Sequence, residues 1–418
     1  MTAVLDHPVH HATFSALAPV VGAEQTVPTA AGEVRYANFD YAASAPALTE
    51  VASVFTEALS QYASVHRGAG HLSQVTTARY EQARETVRRF VGGRADDTVV
   101  FTRNTTDAIN LAAHAVPGDV VVLDIEHHAN LLPWQRTGRA RVVAVQPTFA
   151  ATLDALEAEL ARKPAALLAI TAASNVTGEV LPIRALAAAA HRHGARILVD
   201  GAQLVAHRPV SLAGYGVDYL VFSGHKIYAP FGAGVLIGRP DWLDAAEPYL
   251  AGGGASAQVD LSGGTSWHAG PARHEAGSPN VLGAVAVAAA TDAIRGVGFE
   301  LIGYHERDLL ARLDEGLARL DHVTALRIFD APAEEGRPAV TDRVGIAAFT
   351  VAGHTAREVA EYLSDRHGIG VRDGKFCAHP LLRHLGHPDG AVRASFGLGT
   401  SSDDVDRLLA ALAELGTD

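Results

Sequence analysis

The chain has 418 residues, 48% of them hydrophobic and 19% charged, with a single cysteine and a formal net charge of −12. Its length favours a large domain joined to a smaller one, and its composition excludes a disordered chain. The acidic balance predicts that the protein binds neither nucleic acid nor an anionic membrane surface. No apolar run reaches the roughly 20 residues of a membrane span. The lone cysteine excludes an intrachain disulfide and indicates a reducing cytoplasm.

The N-terminal stretch, residues 1–35, is rich in Pro, Ala and His and shows no periodicity. We expect an extended arm that crosses the body of the protein or a partner subunit. From residue 36 to residue 295, β-branched runs alternate with amphipathic stretches, which predicts an α/β large domain built on a mainly parallel sheet. Its seven predicted strands are Thr98–Thr102, Val120–Asp124, Arg141–Val145, Ala166–Thr171, Arg196–Asp200, Tyr219–Ser223 and Gly234–Ile237. Its predicted helices are Thr76–Val91, Thr106–His114, Leu153–Arg162 and Ile183–His193.

One stretch of this domain, Ala251–Gly277, is rich in Gly, His and Ser and is predicted to be a long loop. After a break at Gly296–Gly298, residues 296–418 are expected to form a smaller α+β domain. Its predicted elements are a helix at Leu301–Leu320, strands near Arg343–Val351 and Gly370–Val371, and a final helix at Asp403–Leu415.

Polar side chains follow five of the predicted strands at the point where each strand ends. In open parallel sheets ligands bind at this edge, so these residues are candidates for one common site. They are Asn104, Thr105, Thr106 and Asp107; Glu126, His127 and His128; Ser174 and Asn175; Asp200 and Gln203; and Ser223, His225 and Lys226.

Two of these residues suit a pyridine aldehyde phosphate. A lysine screened from water has a lowered pKa and can form an imine with an aldehyde, as Lys226 would. A buried carboxylate such as Asp200 keeps a ring nitrogen protonated, so that electrons flow from the substrate into the ring. Asp200 alone would usually be a cap or turn residue, whereas Lys226, at the end of an apolar strand, occupies an unusual place for a solvated charge.

The remaining strand-end residues have matching uses. The hydroxyls of Thr105 and Thr106, at a helix N-terminus, suit a phosphate dianion, although an ordinary N-cap explains them equally well alone. An imidazole such as His127 can stack on the ring and exchange protons. The amides of Asn175 and Gln203 can hydrogen-bond the ring's phenolic oxygen. Ser223 and His225 can add phosphate donors. Together the residues predict pyridoxal 5′-phosphate as cofactor, and no metal.

Several segments closely resemble class V aminotransferase-fold enzymes, and within that class group II cysteine desulfurases and selenocysteine lyases. The resemblance extends from about Tyr36 to the C-terminus and implies fold type I and a homodimer with active sites at the subunit interface. The segments that carry it are Val65–Gly68, Asn104–Asn110, Glu126–Trp134, Val199–Gln203, Phe222–Lys226, Glu275–Asn280, Gly370–Pro380 and Val392–Ser395.

The resemblance also implies a role for individual residues. Lys226 would form the Schiff base, Asp200 would pair with the pyridinium, His127 would stack on the ring, and Cys377 would be the nucleophile that accepts sulfur. The implied phosphate ligands are Thr106, Ser223 and His225, with Ser278 reaching the phosphate of the neighbouring subunit. The implied substrate-binding residues are Arg393, which would hold the carboxylate, and Arg372, His66 and Asn175.

The sequence departs from the family pattern at three places: Lys375-Phe376 before Cys377, Gly397-Leu398-Gly399 after Ser395, and Gly70-His71. These positions are expected to line the substrate side of the site, so the departures bear on which substrate is used rather than on the cofactor.

We expect an enzyme that converts L-cysteine to L-alanine and leaves the sulfur as a persulfide on Cys377, for transfer to a possible acceptor protein. Other class V enzymes remain alternatives: a selenocysteine lyase, a C–S lyase or β-eliminase, an epimerase or an aminotransferase. A non-catalytic scaffold of the same fold is a distant alternative, which the presence of both Lys226 and Asp200 disfavours.

Overall fold

The computed structural model describes residues 13–416, so residues 1–12 of the predicted arm lie outside the described range. The described part of the arm is not wholly extended, because β1 (Thr26–Thr29) and β2 (Gly32–Arg35) form an antiparallel hairpin. The N–H of Ala30 donates to the Asp365 carbonyl at 2.9 Å, and the N–H of Leu17 donates to the Leu398 carbonyl at 2.7 Å. The described arm therefore lies against the C-terminal part of its own chain.

The remaining elements follow in chain order. As far as the large domain extends they are β3 (Ala37–Asn38), α1 (Thr49–Ser60), α2 (His71–Phe90), β4 (Thr98–Thr102), α3 (Thr105–Ala115), β5 (Val120–Leu123), α4 (His128–Arg136), β6 (Ala140–Val143), α5 (Phe149–Arg162), β7 (Leu167–Thr171), α6 (Ile183–Arg192), β8 (Arg196–Asp200), α7 (Leu212–Tyr215), β9 (Tyr219–Ser223), β10 (Gly234–Gly238), α8 (Pro240–Ala245), β11 (Ser256–Val259), β12 (Thr265–Trp267) and α9 (Val281–Val297). Those of the small domain are α10 (Phe299–Ala318), β13 (Val323–Ala325), β14 (Ile346–Val351), α11 (Ala356–His367), β15 (Ile369–Gly370), β16 (Arg372–Gly374), α12 (His379–His384), β17 (Ala391–Ser395) and α13 (Ser402–Leu415).

Seven strands form the central sheet in the order β4-β10-β9-β8-β7-β5-β6. All are parallel except β10, which runs antiparallel to both of its neighbours. The predicted fold, a mainly parallel seven-stranded α/β sheet, is confirmed, and all seven predicted strands are present within two residues of their expected bounds.

The sheet is buried on both faces, as the unbroken apolar runs require. In β5, Val121 and Leu123 pack into the hydrophobic core on one face, whereas Val120 and Val122 pack into a separate core on the other. This alternation fixes the strand register, so the polar residues that follow each strand emerge together at the carboxyl edge.

The predicted loop Ala251–Gly277 is corrected in its central part, where β11 and β12 pair as a hairpin. The hairpin is mostly exposed, so its strands lack the hydrophobic alternation that would have revealed them. The segment is anchored just before its end by Glu275, which accepts hydrogen bonds from the Tyr80 hydroxyl, from Arg84 and from the Phe101 N–H.

The small domain contains an antiparallel sheet of order β13-β14-β17-β16, covered by α10, α11 and α13. Strand β15 pairs in parallel with β3, and Ala37 and Phe39 are buried in the small-domain core. The predicted boundaries at residues 35/36 and 295/296 stay predictions, but this packing joins residues 37–39 to the C-terminal part.

Within residues 13–416, no single helix has the length and apolar character to cross a membrane; α9 and α10 pass that test only as a pair bent by 78°.

A buried ionic cluster joins the two domains near the start of α10. Glu306, 2% exposed, contacts the His207 ring and accepts a 2.6 Å hydrogen bond from Arg208. Arg208 also donates two 2.8 Å hydrogen bonds to the Asp342 carboxylate. Burial raises the pKa of Glu306, but His207 and Arg208 outweigh it, so the net pKa lies below the ordinary value.

Replacing Glu306 with Gln should lower the free energy of unfolding by about 1.5–3 kcal/mol, because Arg208 loses a charge-assisted hydrogen bond. The difference between wild type and variant should shrink as the pH falls through the lowered pKa of Glu306, since protonation removes the same charge. Urea unfolding at several pH values measures both effects. Glu361→Gln, which breaks the exposed Arg357–Glu361 pair, is the control and should change little. Equal midpoints for Glu306→Gln and wild type would contradict the prediction.

Candidate active site

A cavity of about 270 Å³ opens at the carboxyl edge of the central sheet, where the two domains meet. Of the residues to which the sequence analysis gave a role, all line it except His66 and Ser278, whereas the strand-end candidates Asp107, Glu126, His128 and Ser174 do not line it. Those that line it are Thr105, Thr106, His127, Asn175, Asp200, Gln203, Ser223, His225, Lys226, Arg372, Cys377 and Arg393. The wall is completed by Asn104 and Phe376, which the sequence analysis named without a role, and by residues that it did not name individually: Ala42, Ala43, Ala129, Thr171 and Ala202.

The two exceptions lie elsewhere on the surface. The His66 Nε2 is 2.8 Å from the Glu81 carboxylate, in a separate depression that also includes Arg67. Ser278 is exposed, in the segment that precedes α9. The implied role of Ser278 at the neighbouring subunit's phosphate stays a prediction, and His66 does not reach the substrate side of its own chain.

Lys226 ends a short 3₁₀ turn that follows β9, with its amine facing the cavity. Burial lowers the pKa of Lys226 to about 8. The charge of Asp200 opposes this change, whereas the charge of Arg393 adds to it. The amine therefore loses its proton close to neutral pH, as a nucleophile for a carbonyl group must.

Asp200 is the last residue of β8 and is fully buried. Burial raises the pKa of Asp200, although the Ala202 N–H, 3.0 Å from its Oδ1, and the Lys226 charge oppose the rise. A buried carboxylate of this kind is stabilised by a further positive charge in the cavity.

His127 caps α4, and its Nδ1 accepts a 3.0 Å hydrogen bond from the Ala129 N–H. This contact assigns the ring proton of the neutral imidazole to Nε2. Burial lowers the pKa of His127 to about 3, and the charges of Lys226, His128 and Arg393 act in the same direction. The ring is therefore neutral at physiological pH.

Glu126, beside His127, has no role in the sequence prediction, yet it is wholly buried. Its carboxylate accepts hydrogen bonds from the Asn130 amide at 2.7 Å and from the Thr171 N–H at 3.1 Å. Burial raises the pKa of Glu126 to about 8 in spite of these hydrogen bonds. Its position three residues after the fully apolar strand β5 was the signal available in the sequence. No group of three or more His, Cys, Asp or Glu residues among residues 13–416 is arranged to hold a metal ion.

Another part of the cavity wall is formed where the start of α3 meets the end of β9. The N–H of Thr105 donates to the Ser223 hydroxyl at 2.8 Å, and the two hydroxyls lie 2.7 Å apart. The Asn104 side chain caps the helix by accepting from the Asp107 N–H. Hydroxyls and free N–H groups at a helix start are the donors that a phosphate requires.

Apart from His66, the residues predicted to bind the substrate are grouped around Arg393 of β17, which is 3% exposed. Its Nη1 donates to the Asn175 carbonyl at 2.8 Å, and its Nη2 donates to Asp40 Oδ1 at 3.0 Å. Arg372 of β16 lies opposite Arg393 in the strand register and also lines the cavity. Asp40, not predicted, was hard to recognise because 353 residues separate it from its partner.

Cys377 is exposed to the cavity at the tip of the segment between β16 and α12. Phe376 and Cys377 adopt left-handed backbone conformations, with φ of 51° and 53°. Such conformations are unfavourable for non-glycine residues and must be held by their surroundings. The Asn175 amide donates to the Phe376 carbonyl and the His128 N–H donates to the Cys377 carbonyl, each at 2.8 Å.

Asn175 and Gln203, the two amides expected to contact the ring's phenolic oxygen, donate hydrogen bonds to backbone carbonyls. Asn175 binds the Phe376 carbonyl as described, and Gln203 Nε2 donates to the Ala42 carbonyl at 2.8 Å. Their predicted contacts with the cofactor stay predictions.

Steric constraints explain why Gly397-Leu398-Gly399 departs from the family pattern. Tyr228, two residues after Lys226, is buried with φ of 67°, and its hydroxyl accepts from the Leu398 N–H at 3.0 Å. A Cβ at Gly397 would lie 2.4 Å from the Tyr228 hydroxyl, and one at Gly399 would lie 2.5 Å from the Tyr41 hydroxyl. The glycines leave space for two buried tyrosines.

Comparison with known proteins agrees with this geometry. The aminotransferase class-V family model matches residues 37–408. A cysteine desulfurase of Klebsiella pneumoniae (strain 342) is 39% identical over 366 residues, which cover 85% of this chain and 86% of that protein.

Two solved structures are similar over 91% of this chain and 95% of their own. The apo cysteine desulfurase of Thermococcus onnurineus NA1 is 34% identical with a TM-score of 0.82. A cysteine desulfurase of Escherichia coli, in an S-sulfonic acid form, is 31% identical with a TM-score of 0.80. The expected resemblance to class V enzymes and to cysteine desulfurases is confirmed, and the chain belongs to the aminotransferase class-V family.

Proposed function

We propose that this protein is a pyridoxal 5′-phosphate-dependent cysteine desulfurase that converts L-cysteine to L-alanine and receives the sulfur on Cys377. One observation carries the proposal: the only thiol of the chain lines the same cavity as Lys226, Asp200 and Arg393. An amine, a carboxylate, a guanidinium and a thiol are the four groups that this reaction requires. The similarity to cysteine desulfurases over most of the chain supports the same conclusion.

The residues present fit the cofactor. Lys226, with its lowered pKa, would hold the aldehyde carbon covalently, and Asp200 would pair with the protonated ring nitrogen. Thr105, Thr106 and Ser223 surround the space suited to the phosphate. When bound, the cofactor supplies an electron sink for the bond cleaved at the substrate.

The protein's own groups provide binding and proton transfer. Arg393 binds the substrate carboxylate with its planar fork of N–H donors. Lys226, as a neutral amine, removes the proton from the substrate's Cα, and burial keeps it free of competing water. His127, neutral and protonated at Nε2, lines the cavity, where its ring N–H can donate a hydrogen bond.

Sulfur transfer requires a nucleophile from the protein. The Cys377 thiolate attacks the substrate sulfur, so an S–S bond forms while the Cβ–S bond breaks. The electron pair of the broken bond stays on the carbon skeleton, which takes up protons and leaves as L-alanine. The persulfide on Cys377 faces the cavity opening, so an external thiol can reach it.

The wider setting of the enzyme follows from the same features. A homodimer is supported by the positions of His66 and Ser278, which belong to the family motifs yet lie outside their own chain's cavity. An acceptor protein for the sulfur is supported by the exposure of Cys377. A cytoplasmic location is supported by the need to keep this thiol reduced.

The first prediction from this proposal concerns Lys226. Lys226→Ala should lose the borohydride-reducible covalent link to pyridoxal phosphate, whereas Lys163→Ala, a change at an exposed lysine, should keep it. In the cofactor-free wild type, capture of pyridoxal phosphate should accelerate as the pH rises through about 8, because the amine becomes neutral there. Mass spectrometry after reduction measures both. A link that persists in Lys226→Ala would refute the assignment.

A second prediction concerns Cys377. Cys377→Ser should retain the bound cofactor and its spectral response to L-cysteine, yet lose persulfide formation and most alanine release, because the hydroxyl cannot accept the sulfur. Intact-protein mass spectrometry after brief exposure to L-cysteine should show one added sulfur in the wild type and none in the variant. Wild-type turnover by the variant, with pyruvate as the main product, would identify a lyase instead.

A third prediction concerns the carboxylate site. Arg393→Lys keeps the charge but loses the two-pronged geometry, so substrate binding should weaken by about 1.5–3 kcal/mol. Steady-state kinetics with L-cysteine measure this as a higher KM. Arg407→Lys is the matched control, because Arg407 also donates to backbone carbonyls, those of Arg35 and His367, but lies outside the cavity. Unchanged KM and kcat/KM for Arg393→Lys would place the carboxylate elsewhere.

A further inference from the structure

Phe376, which stands immediately before the thiol, packs against the substrate-binding arginine. Its side chain lines the cavity, is only 6% exposed, and has its ring centroid 5.1 Å from the Arg393 guanidinium carbon. Both partners are removed from water, the condition under which a cation–π contact contributes most.

The contact is compatible with binding an anion because a guanidinium has two kinds of surface. Its faces carry no donors and stack on aromatic rings, whereas its edges donate hydrogen bonds in the plane. In Arg393, Nη1 and Nη2 donate to Asn175 and Asp40, and the buried Nε has no hydrogen-bond partner among residues 13–416. The Phe376 ring lies under the guanidinium carbon and accepts none of these hydrogen bonds, so the N–H groups stay available to these acceptors and to a substrate carboxylate.

The backbone of Phe376 is tied to the same group of residues. Its carbonyl accepts from the Asn175 side chain, while the Asn175 carbonyl accepts from Arg393. The left-handed conformations of Phe376 and Cys377 are thus held by a closed set of contacts that includes the arginine. Phe376 therefore contacts the guanidinium through its ring and adjoins the thiol through its backbone.

We propose that Phe376 is a positioning residue that sets carboxylate recognition, by fixing the plane of Arg393 through its ring and the Cys377 backbone through its carbonyl. This inference rests on the proposed function, since it takes Arg393 as the group that binds the substrate carboxylate. Its consequence is selectivity: an aromatic side chain at this position favours amines that carry an α-carboxylate over those that do not.

The test uses the holoenzyme and two amines that have no sulfur to transfer, L-alanine and ethylamine. They differ only by the α-carboxylate of L-alanine. Spectral titration of the bound cofactor gives the affinity for each. In Phe376→Leu, the affinity for L-alanine should fall roughly tenfold relative to that for ethylamine. Phe376→Tyr, which keeps the ring, should retain the wild-type ratio. A purely structural role would weaken both amines equally, and that result would overturn the proposal.

Two further variants complete the design. Phe376→Met, an apolar side chain of similar volume, should repeat the loss of preference and provides a second measurement if Phe376→Leu folds poorly. Phe329→Leu makes the same kind of substitution outside the cavity and should leave the ratio unchanged. In an Arg393→Lys background, Phe376→Leu should add little further loss, because the group it positions is already gone; full additivity would count against the proposal.

These binding measurements do not require sulfur transfer. A wild type that prefers L-alanine to ethylamine but releases no alanine from L-cysteine would reject the desulfurase function and leave the role of Phe376 intact. A wild type that desulfurates L-cysteine, with a preference that Phe376→Leu does not alter, would reject the role of Phe376 alone.

Discussion

The part of the cavity wall that includes Arg372 and Cys377 depends on the burial of one charged group, Arg393. Arg393 lies on β17, and it donates hydrogen bonds to Asp40, which follows β3, and to the carbonyl of Asn175, which follows β7 of the central sheet. A buried guanidinium without such partners would be strongly destabilising. The hydrogen bond to Asn175 therefore ties the C-terminal sheet to the end of the central sheet, and the cavity lies beside this contact.

Burial also sets the protonation states on the cofactor side. Lys226, His127 and His225 all have lowered pKa values, while Asp200 and Glu126 have raised ones, and desolvation is the largest cause in each case. Each of these pKa values is therefore shifted in the direction that favours the uncharged form of the group. Small changes in the charge of a bound molecule can then move protons between them, which is the condition for acid–base chemistry at neutral pH.

The sheet and most of the site could be predicted because both follow local rules. Unbroken apolar runs predict strands buried on both faces, and the residues that end those strands share one edge. Lys226, Asp200 and His127 could be identified in this way. The exposed hairpin β11–β12 could not, since its strands bury no apolar face and carry no periodic signal.

What the sequence did not reveal depends on contacts between distant segments. Asp40 reaches Arg393 across 353 residues, and the orientation of Phe376 is set by Asn175 and Arg393 together. No local pattern contains such information. The placement of His66 and Ser278 outside the cavity has the same origin, because a motif records the order of residues along the chain but not their positions in the fold.

The space left by Gly397 links sequence variation at two distant positions. The Tyr228 hydroxyl fills the volume that a side chain at position 397 would need, and it also accepts the Leu398 N–H. A homologue with a larger residue at position 397 would have to lose or move this tyrosine hydroxyl and find another acceptor for the buried N–H. Across evolution the two positions should therefore change together, and a combinatorial library that varies one of them alone should yield few folded members.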